Sequence, residues 1–403
     1  MAILKPFKAW RPKPELAPQV ACVPYDVVNT QEAKELARGN PKSFLHVIRP
    51  EIGLPESTSV YSAEVYEKGR ENLYELLNSS AFIQEEQNSL YIYRLIMDGR
   101  SQTGIYGCVS VEDYDNEVIV KHELTRPNKE DDRTKHILTQ QAHAEPVMMT
   151  FRDNASITSV MNEHMENNDP IYDFTAEDDV KHTIWKADNN ETLVEAFKNI
   201  PNIYIADGHH RCASAARAAK EQASQNPTHD GTEAYNFFPA VLVPMDQIKI
   251  LAYNRIIFSI PDNFLEKLQE DFDLERKAKP VPTGKGMISL YLNENWYGLT
   301  LKDPVKNDPA SKLDITLLQD QILEPLLGIK DQRTDPNIDF VGGIRGTGEL
   351  EKLVDNGEAA LGISMYPTSI EELVKVSDAG LLMPPKSTWF EPKLRSGLLI
   401  HTF

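Results

Sequence analysis

The densest group of residues able to do chemistry is Asp207-Gly208-His209-His210-Arg211. It follows the apolar run Ile203-Tyr204-Ile205-Ala206 and opens an Ala-rich stretch, so the spacing predicts a strand that turns through Asp-Gly straight into a helix. The first N–H groups of a helix lack intrahelical acceptors and carry the positive end of its dipole, which makes that turn an anion site, and in particular a phosphate site. Gly208 lets backbone approach a ligand closely, His209 and His210 add donors, and Arg211 is of the type that grips phosphate through two parallel N–H bonds. Read as an ordinary polar helix start, the same residues would be core filler. Two histidines, an arginine and an aspartate beside a glycine break in five positions favour a site.

Three other groups could serve such a site. Lys121-His122-Glu123-Leu124-Thr125-Arg126-Pro127 lies between a strand predicted at 117–120 and a helix, and its carboxylate could accept a hydroxyl proton or hold Mg²⁺. The charge run that follows, 129–133, reads by itself as a solvated face. Pro384-Pro385-Lys386-Ser387-Thr388 and Lys393 put hydroxyls and cations on a stretch stiffened by proline. Val23-Pro24-Tyr25-Asp26 reads as a turn into a helix capped near Asn29 or Thr30. The glycine-rich stretch 340–350 follows a strand-like run but lacks the P-loop ending and the dinucleotide spacing, so it reads as a turn. Cys212, beside the main motif, faces the helix interior by spacing and is not read as a nucleophile.

These groups need a scaffold, and 403 residues allow two or three cores. Amphipathic helices are predicted at 58–78, 131–144, 191–198, 210–224 and 314–327, and strands at 90–96 and 103–109, joined through Asp98-Gly99, and at 239–244. A polar linker is predicted at 222–233. The fold expected is mixed α/β, with a motif-bearing core over 1–255 and a C-terminal α/β portion over 256–403. A net charge of −19 argues against nucleic acid as the main partner. Three separated cysteines make no disulfide set or CxxC pair, and no run of about 18 apolar residues is present, so the protein is read as cytoplasmic, without a membrane partner.

Pro24-Tyr25-Asp26-Val27, His122-Glu123 with Thr125, the Asp207–Arg211 motif, and the stretch Pro384-Pro385-Lys386-Ser387-Thr388-Trp389-Phe390-Glu391-Pro392-Lys393 together resemble the domain-of-unknown-function family numbered 1015. Leu124 departs from that pattern, which has a polar residue before the threonine. The Asp-Gly-His-His-Arg turn is similar to that of the ParB and sulfiredoxin superfamily, which includes free L-serine kinases. The resemblance implies a ParB/sulfiredoxin-like core and a turn that cradles nucleotide phosphates.

The function expected is phosphoryl transfer to the hydroxyl of a small metabolite, with free L-serine as first substrate and O-phosphoserine as product. Gly208, His209, His210, Arg211, Lys386, Ser387, Thr388 and Lys393 are assigned to phosphate or nucleotide. Glu123, Asp207 and His122 are assigned to catalysis, and Glu123 and Asp207 also to Mg²⁺. ATP or ADP would be the donor, and a homodimer is the expected assembly. The alternatives are a phosphoserine phosphatase, a ParB-like nucleotide-binding protein, and a hydrolase whose transition metal is held by His122, His209, His210 and Asp207.

Overall fold

A computed structural model describes residues 2–187 and 190–403. The chain forms two compact units, one of Met1–Lys121, Thr125–Ile248 and Pro392–Phe403, the other of His122–Leu124 and Lys249–Glu391. The fold is mixed α/β, as expected. No helix among the described residues is long and apolar enough to cross a membrane.

The first unit is built on a nine-stranded mixed sheet. Across it run Ile119–Val120, Ile203–Asp207, Val147–Phe151, Phe237–Pro244, Arg100–Ser110, Tyr91–Met97, Lys181–Lys186 and Tyr172–Thr175, with Leu4–Lys5 also pairing with Arg100–Ser110. Ile203–Asp207 is parallel to Ile119–Val120, and Phe237–Pro244 to Val147–Phe151; the other pairs are antiparallel. The hairpin at 97–100 turns as predicted, because Asp98 at φ +52° and Gly99 at φ +74° both take the left-handed conformation that a two-residue turn requires. Val147–Phe151 is buried along its whole length and reads as a continuous apolar run, the signature of a strand covered on both faces.

Helix His209–Gln225 lies against helix Pro127–Gln140, where the Ser214 hydroxyl donates to the Glu130 carbonyl at 3.1 Å. Its alanines at 213, 215, 216, 218 and 219 are buried; short side chains let the helix pack closely. Several predicted boundaries move. The helix expected at 58–78 starts only at Ala63 and ends at Leu77, and the strand expected at 117–120 is confined to Ile119–Val120. The helix expected at 131–144 starts at Pro127, in the first-turn position where the missing N–H of proline costs nothing, and ends at Gln140 because Gln141 turns left-handed at φ +49°. The linker expected at 222–233 is shorter, since its helix continues to Gln225. Thr30–Leu36 is capped by Asn29, whose side chain accepts from Glu32 N while the Glu32 side chain accepts from Asn29 N.

The second unit is an antiparallel six-stranded sheet in the order Glu275–Arg276, Asn295–Thr300, Met287–Leu292, Leu361–Met365, Tyr253–Ile257 and Ile338–Gly342. The helix expected at 314–327 is present, with a π-helical segment at Gln319–Leu323 in its middle. The division at 255 differs from the one observed. Position 255 falls inside strand Tyr253–Ile257, which belongs wholly to the second sheet, and the last twelve residues, 392–403, return to the first unit.

Candidate functional site

Strand Ile203–Asp207 ends at a carboxylate, and Gly208, at φ +114° and ψ 33°, redirects the chain into helix His209–Gln225. Gly208 is the N-cap and offers no side-chain acceptor to the first turn. A β-carbon on Gly208 would stand 3.0 Å from Arg211 Nε and 3.2 Å from Val147 Cγ1, so glycine is required both by the backbone angle and by the guanidinium folded over it.

Arg211 is buried. Its Nη1 donates to the Pro146 carbonyl and its Nη2 donates to Asp207 Oδ2 at 3.0 Å. From the other side Lys393 Nζ donates to Asp207 Oδ1 at 3.4 Å. Burial raises the Asp207 pKa, but Lys393 and Arg211 together outweigh it and hold the carboxyl well below the usual carboxylate range. Asp207 is therefore an anion at any physiological pH, with its side chain 23% exposed. The arrangement also alters the role the sequence suggests for Arg211. Both outer nitrogens of its fork are committed to the protein, so Arg211 positions Asp207 and the helix start.

Behind Arg211 lies a set of buried charges. Glu145 accepts from Tyr25 N at 3.1 Å and from the Ser396 hydroxyl at 3.3 Å, and stands 3.8 Å from Arg133 Nη1. Arg133 also pairs with Asp132 at 2.8 Å, and its guanidinium lies 4.1 Å from the centre of the Tyr25 ring. Burial raises the Glu145 pKa above its ordinary value despite Arg211 and Arg133, which pull it down. A cavity of about 40 Å³, room for a water molecule, is bounded by Arg133, His136, Glu145 and Arg211. Arg133 appeared in the sequence only as part of a charge run, and Glu145 was missed. The available signal was a single carboxylate in Ala142-His143-Ala144-Glu145-Pro146-Val147, immediately before a fully buried strand.

The remaining predicted residues are distributed between the units. His209 is buried, while His210 Nε2 accepts from Arg126 N at 3.0 Å and so fastens the loop before helix Pro127–Gln140 to the start of the next helix. Thr125 donates its hydroxyl to Glu130. His122 and Glu123 group with the second unit; His122 is buried, its carbonyl accepts from Met383 N at 2.8 Å, and its ring lies 6.5 Å from that of Phe390. Lys386 takes a left-handed φ of +57°, its carbonyl accepts from Arg255 Nη2 at 3.3 Å, and its ammonium lies 5.2 Å from the Tyr253 ring centre. Ser387 donates its hydroxyl to the Pro384 carbonyl at 2.6 Å, and Thr388 is half-buried. Of this stretch, Lys386, Ser387 and Thr388 belong to the second unit and Lys393 to the first. Cys212 is buried, and burial pushes its thiol above the ordinary range, which fits the structural role expected of it. The glycines at 342 and 343 serve packing: a β-carbon would meet the Trp389 ring at 2.5 Å and the Ala252 carbonyl at 2.4 Å, respectively.

The family model described as "Protein of unknown function (DUF1015)" matches residues 4–316. The chain belongs to this family. No curated protein matches this DUF1015 member. Among solved structures, similarity is found to free serine kinase in complex with AMP (12% identity, 73% of this chain and 92% of that chain, TM-score 0.38). It is also found to SbnI with C-terminal truncation from Staphylococcus aureus (12%, 73% and 87%, 0.39) and to a conserved hypothetical protein from Pyrococcus furiosus (12%, 73% and 95%, 0.37).

Proposed function

We propose that this DUF1015 protein is a phosphotransfer enzyme acting on the hydroxyl of a small metabolite, with free L-serine the first substrate to test and O-phosphoserine the product. The observation that carries the proposal is the Asp207 carboxylate, kept ionised between Arg211 and Lys393 at the mouth of a helix whose cap is a left-handed glycine. Phosphoryl transfer asks a protein mainly for oriented donors, a metal ligand and a fixed charge beside the reacting oxygen. The first turn of helix His209–Gln225 supplies backbone donors for phosphate, and Lys393 supplies a cation.

A carboxylate has about four acceptor positions, and Asp207 uses two of them within the protein. That suits Mg²⁺, which is commonly held by one or two carboxylates with water and phosphate oxygens completing the shell. Mg²⁺ would supply neutralisation of charge on the transferring group. Asp207 would hold it, Lys393 would face the phosphate, and Arg211 would keep Asp207 in place.

The test is a phosphorus NMR screen of the purified protein with Mg²⁺, L-serine and either ATP, ADP or pyrophosphate, beside a sample containing phosphoserine alone. A new phosphomonoester signal is expected; inorganic phosphate released from phosphoserine would instead assign the reverse, phosphatase direction. Lys393→Met is expected to cost about 10²-fold or more in rate. Wild-type turnover in that variant would defeat the residue assignment, and no phosphorus turnover in any sample would defeat the reaction class.

A further inference from the structure

A cleft of about 350 Å³ opens in the first unit, within the size range of small-molecule sites. It is lined by Cys22, Ser43, Phe174, Glu177, Asp178 and Arg395 among others. Its most informative group is Arg395. The residue is 5% exposed, Nη2 donates to Asp178 Oδ2 at 2.5 Å, and Nη1 is buried with no hydrogen-bond partner among the described residues. Leaving a buried guanidinium donor unpaired is costly, so such groups ordinarily have an acceptor supplied by water or ligand.

A second unpaired donor belongs to the same neighbourhood. Arg395 N donates to the Tyr93 hydroxyl at 3.4 Å, and that hydroxyl lies 2.8 Å from His182 Nδ1. A hydroxyl that accepts from Arg395 has its proton to give to His182, which puts the imidazole proton on Nε2, and Nε2 has no partner among the described residues. The His182 ring stacks on Phe174, a lining residue, at 5.3 Å. The opposite charge is present too: the Asp178 side chain is 49% exposed, and Glu177 beside it is exposed.

This charge distribution selects the ligand. A bare anion would meet the two carboxylates, and a bare cation would leave the Arg395 donor unsatisfied. We infer that the cleft binds a small zwitterion of amino-acid size, its carboxylate on Arg395 and its ammonium on Asp178 and Glu177. The segment that carries Arg395 also carries Lys393, which reaches Asp207, and Ser396, which forms reciprocal backbone hydrogen bonds with Cys22 at 3.2 and 2.9 Å. Binding here requires no phosphoryl transfer, so the inference stands apart from the reaction proposed above.

Isothermal titration of the full chain tests it, with L-alanine and L-serine as zwitterions and propionate and ethylamine as one-ended analogues. At least one zwitterion is expected to bind, and each one-ended analogue to bind at least tenfold more weakly. Arg395→Met should weaken zwitterion binding at least tenfold. Asp178→Asn, at a half-exposed side chain where asparagine keeps an oxygen acceptor for Arg395, should do the same and keeps the test decisive if the buried substitution misfolds. Equal affinity for propionate, unchanged affinity in Asp178→Asn, or no binding of either zwitterion overturns the inference. L-alanine carries no hydroxyl, so its binding in a protein that turns over no phosphate would sink the reaction and keep the cleft. Turnover of L-serine with zwitterion affinity unchanged in Arg395→Met and Asp178→Asn would do the reverse.

Discussion

Two turns in this molecule carry cations next to strand ends, and they use them in opposite ways. At Asp207 the cations Arg211 and Lys393 converge on one partly exposed carboxylate. At Lys386 the buried Arg255 donates only to neutral oxygens: Gln332 Oε1 at 3.1 Å, the Tyr253 carbonyl at 2.5 Å and the Lys386 carbonyl at 3.3 Å. Burial pulls Arg255 below the ordinary guanidinium range against the opposing Tyr253, whereas Asp207, Asp26 and Glu145 more than offset the burial of Arg211. The second turn is complete in itself, with its hydroxyl, carbonyls and guanidinium all engaged. The first holds a fixed charge at a helix mouth. The contrast lies in the partner: a charge with a face to solvent at the first turn, carbonyls and an amide oxygen at the second.

Arginine replacement should break this comparison most sharply. Arg211→Ala leaves Asp207 without its closest ion-pair partner and the Pro146 carbonyl without its donor, and should lower unfolding free energy by about 3–5 kcal/mol. Arg255→Met removes a buried charge and replaces its volume with apolar atoms, so its expected cost is about 1–3 kcal/mol, from the acceptors left unpaired. Urea unfolding of both variants measures this. An equal loss in the two would mean that carboxylate pairing distinguishes nothing.

Acidification should then move the two units in opposite directions. In the first unit burial lowers His136, His143, His182 and His401, with His182 pushed down to about 3 by burial and by Arg395 against the opposing Asp178. A histidine with a depressed pKa binds its proton more readily unfolded, so its contribution is whole above about 6.5 and is lost as pH falls toward 3. In the second unit burial raises Asp314 to about 6, so between its unfolded value, about 4, and 6 the folded form binds more protons and stability falls as pH rises. Stability measured from pH 7 to 4 should fall less steeply in His182→Gln, by up to about 1.4 kcal/mol per pH unit. In Asp314→Asn it should fall more steeply than in the wild type, since the opposing contribution is gone. The same slope in all three proteins would refute these shifts.

What was legible in the sequence was local. Asp98-Gly99 and Asn29 act through backbone within a few residues, and both behave as read, while Glu32, which completes the Asn29 cap, was not read. The strand, turn and helix around Asp207-Gly208 were legible for the same reason. The partners were not. Arg211 meets Pro146, 65 positions away in the chain, and Lys393 meets Asp207 across 186 positions; spacing gives no sign of either. Glu145 was invisible because its importance lies in what faces it, namely Arg133, Tyr25 and Ser396. Ser387 shows the converse. Its hydroxyl stands in a promising motif, yet it closes its own turn on Pro384.

The smallest expected difference concerns two glycines, one at each turn. Gly208 is needed chiefly for its backbone angle, because a β-carbon there touches Arg211, whose side chain can give by a few tenths of an ångström. Gly208→Ala should therefore cost about 1–2 kcal/mol through the left-handed strain, and should also disturb Asp207 by displacing the guanidinium. Gly342 has an ordinary backbone, and alanine would drive a β-carbon to 2.5 Å from the Trp389 ring. Gly342→Ala should cost a similar amount, about 1–3 kcal/mol, by overpacking, and should shift the Trp389 emission because the ring must move. Gly208→Ala should leave that emission unchanged. The two variants separate only if fluorescence is read with stability, and a tryptophan shift in Gly208→Ala would show that the first turn is tied to Trp389 in a way its contacts do not explain.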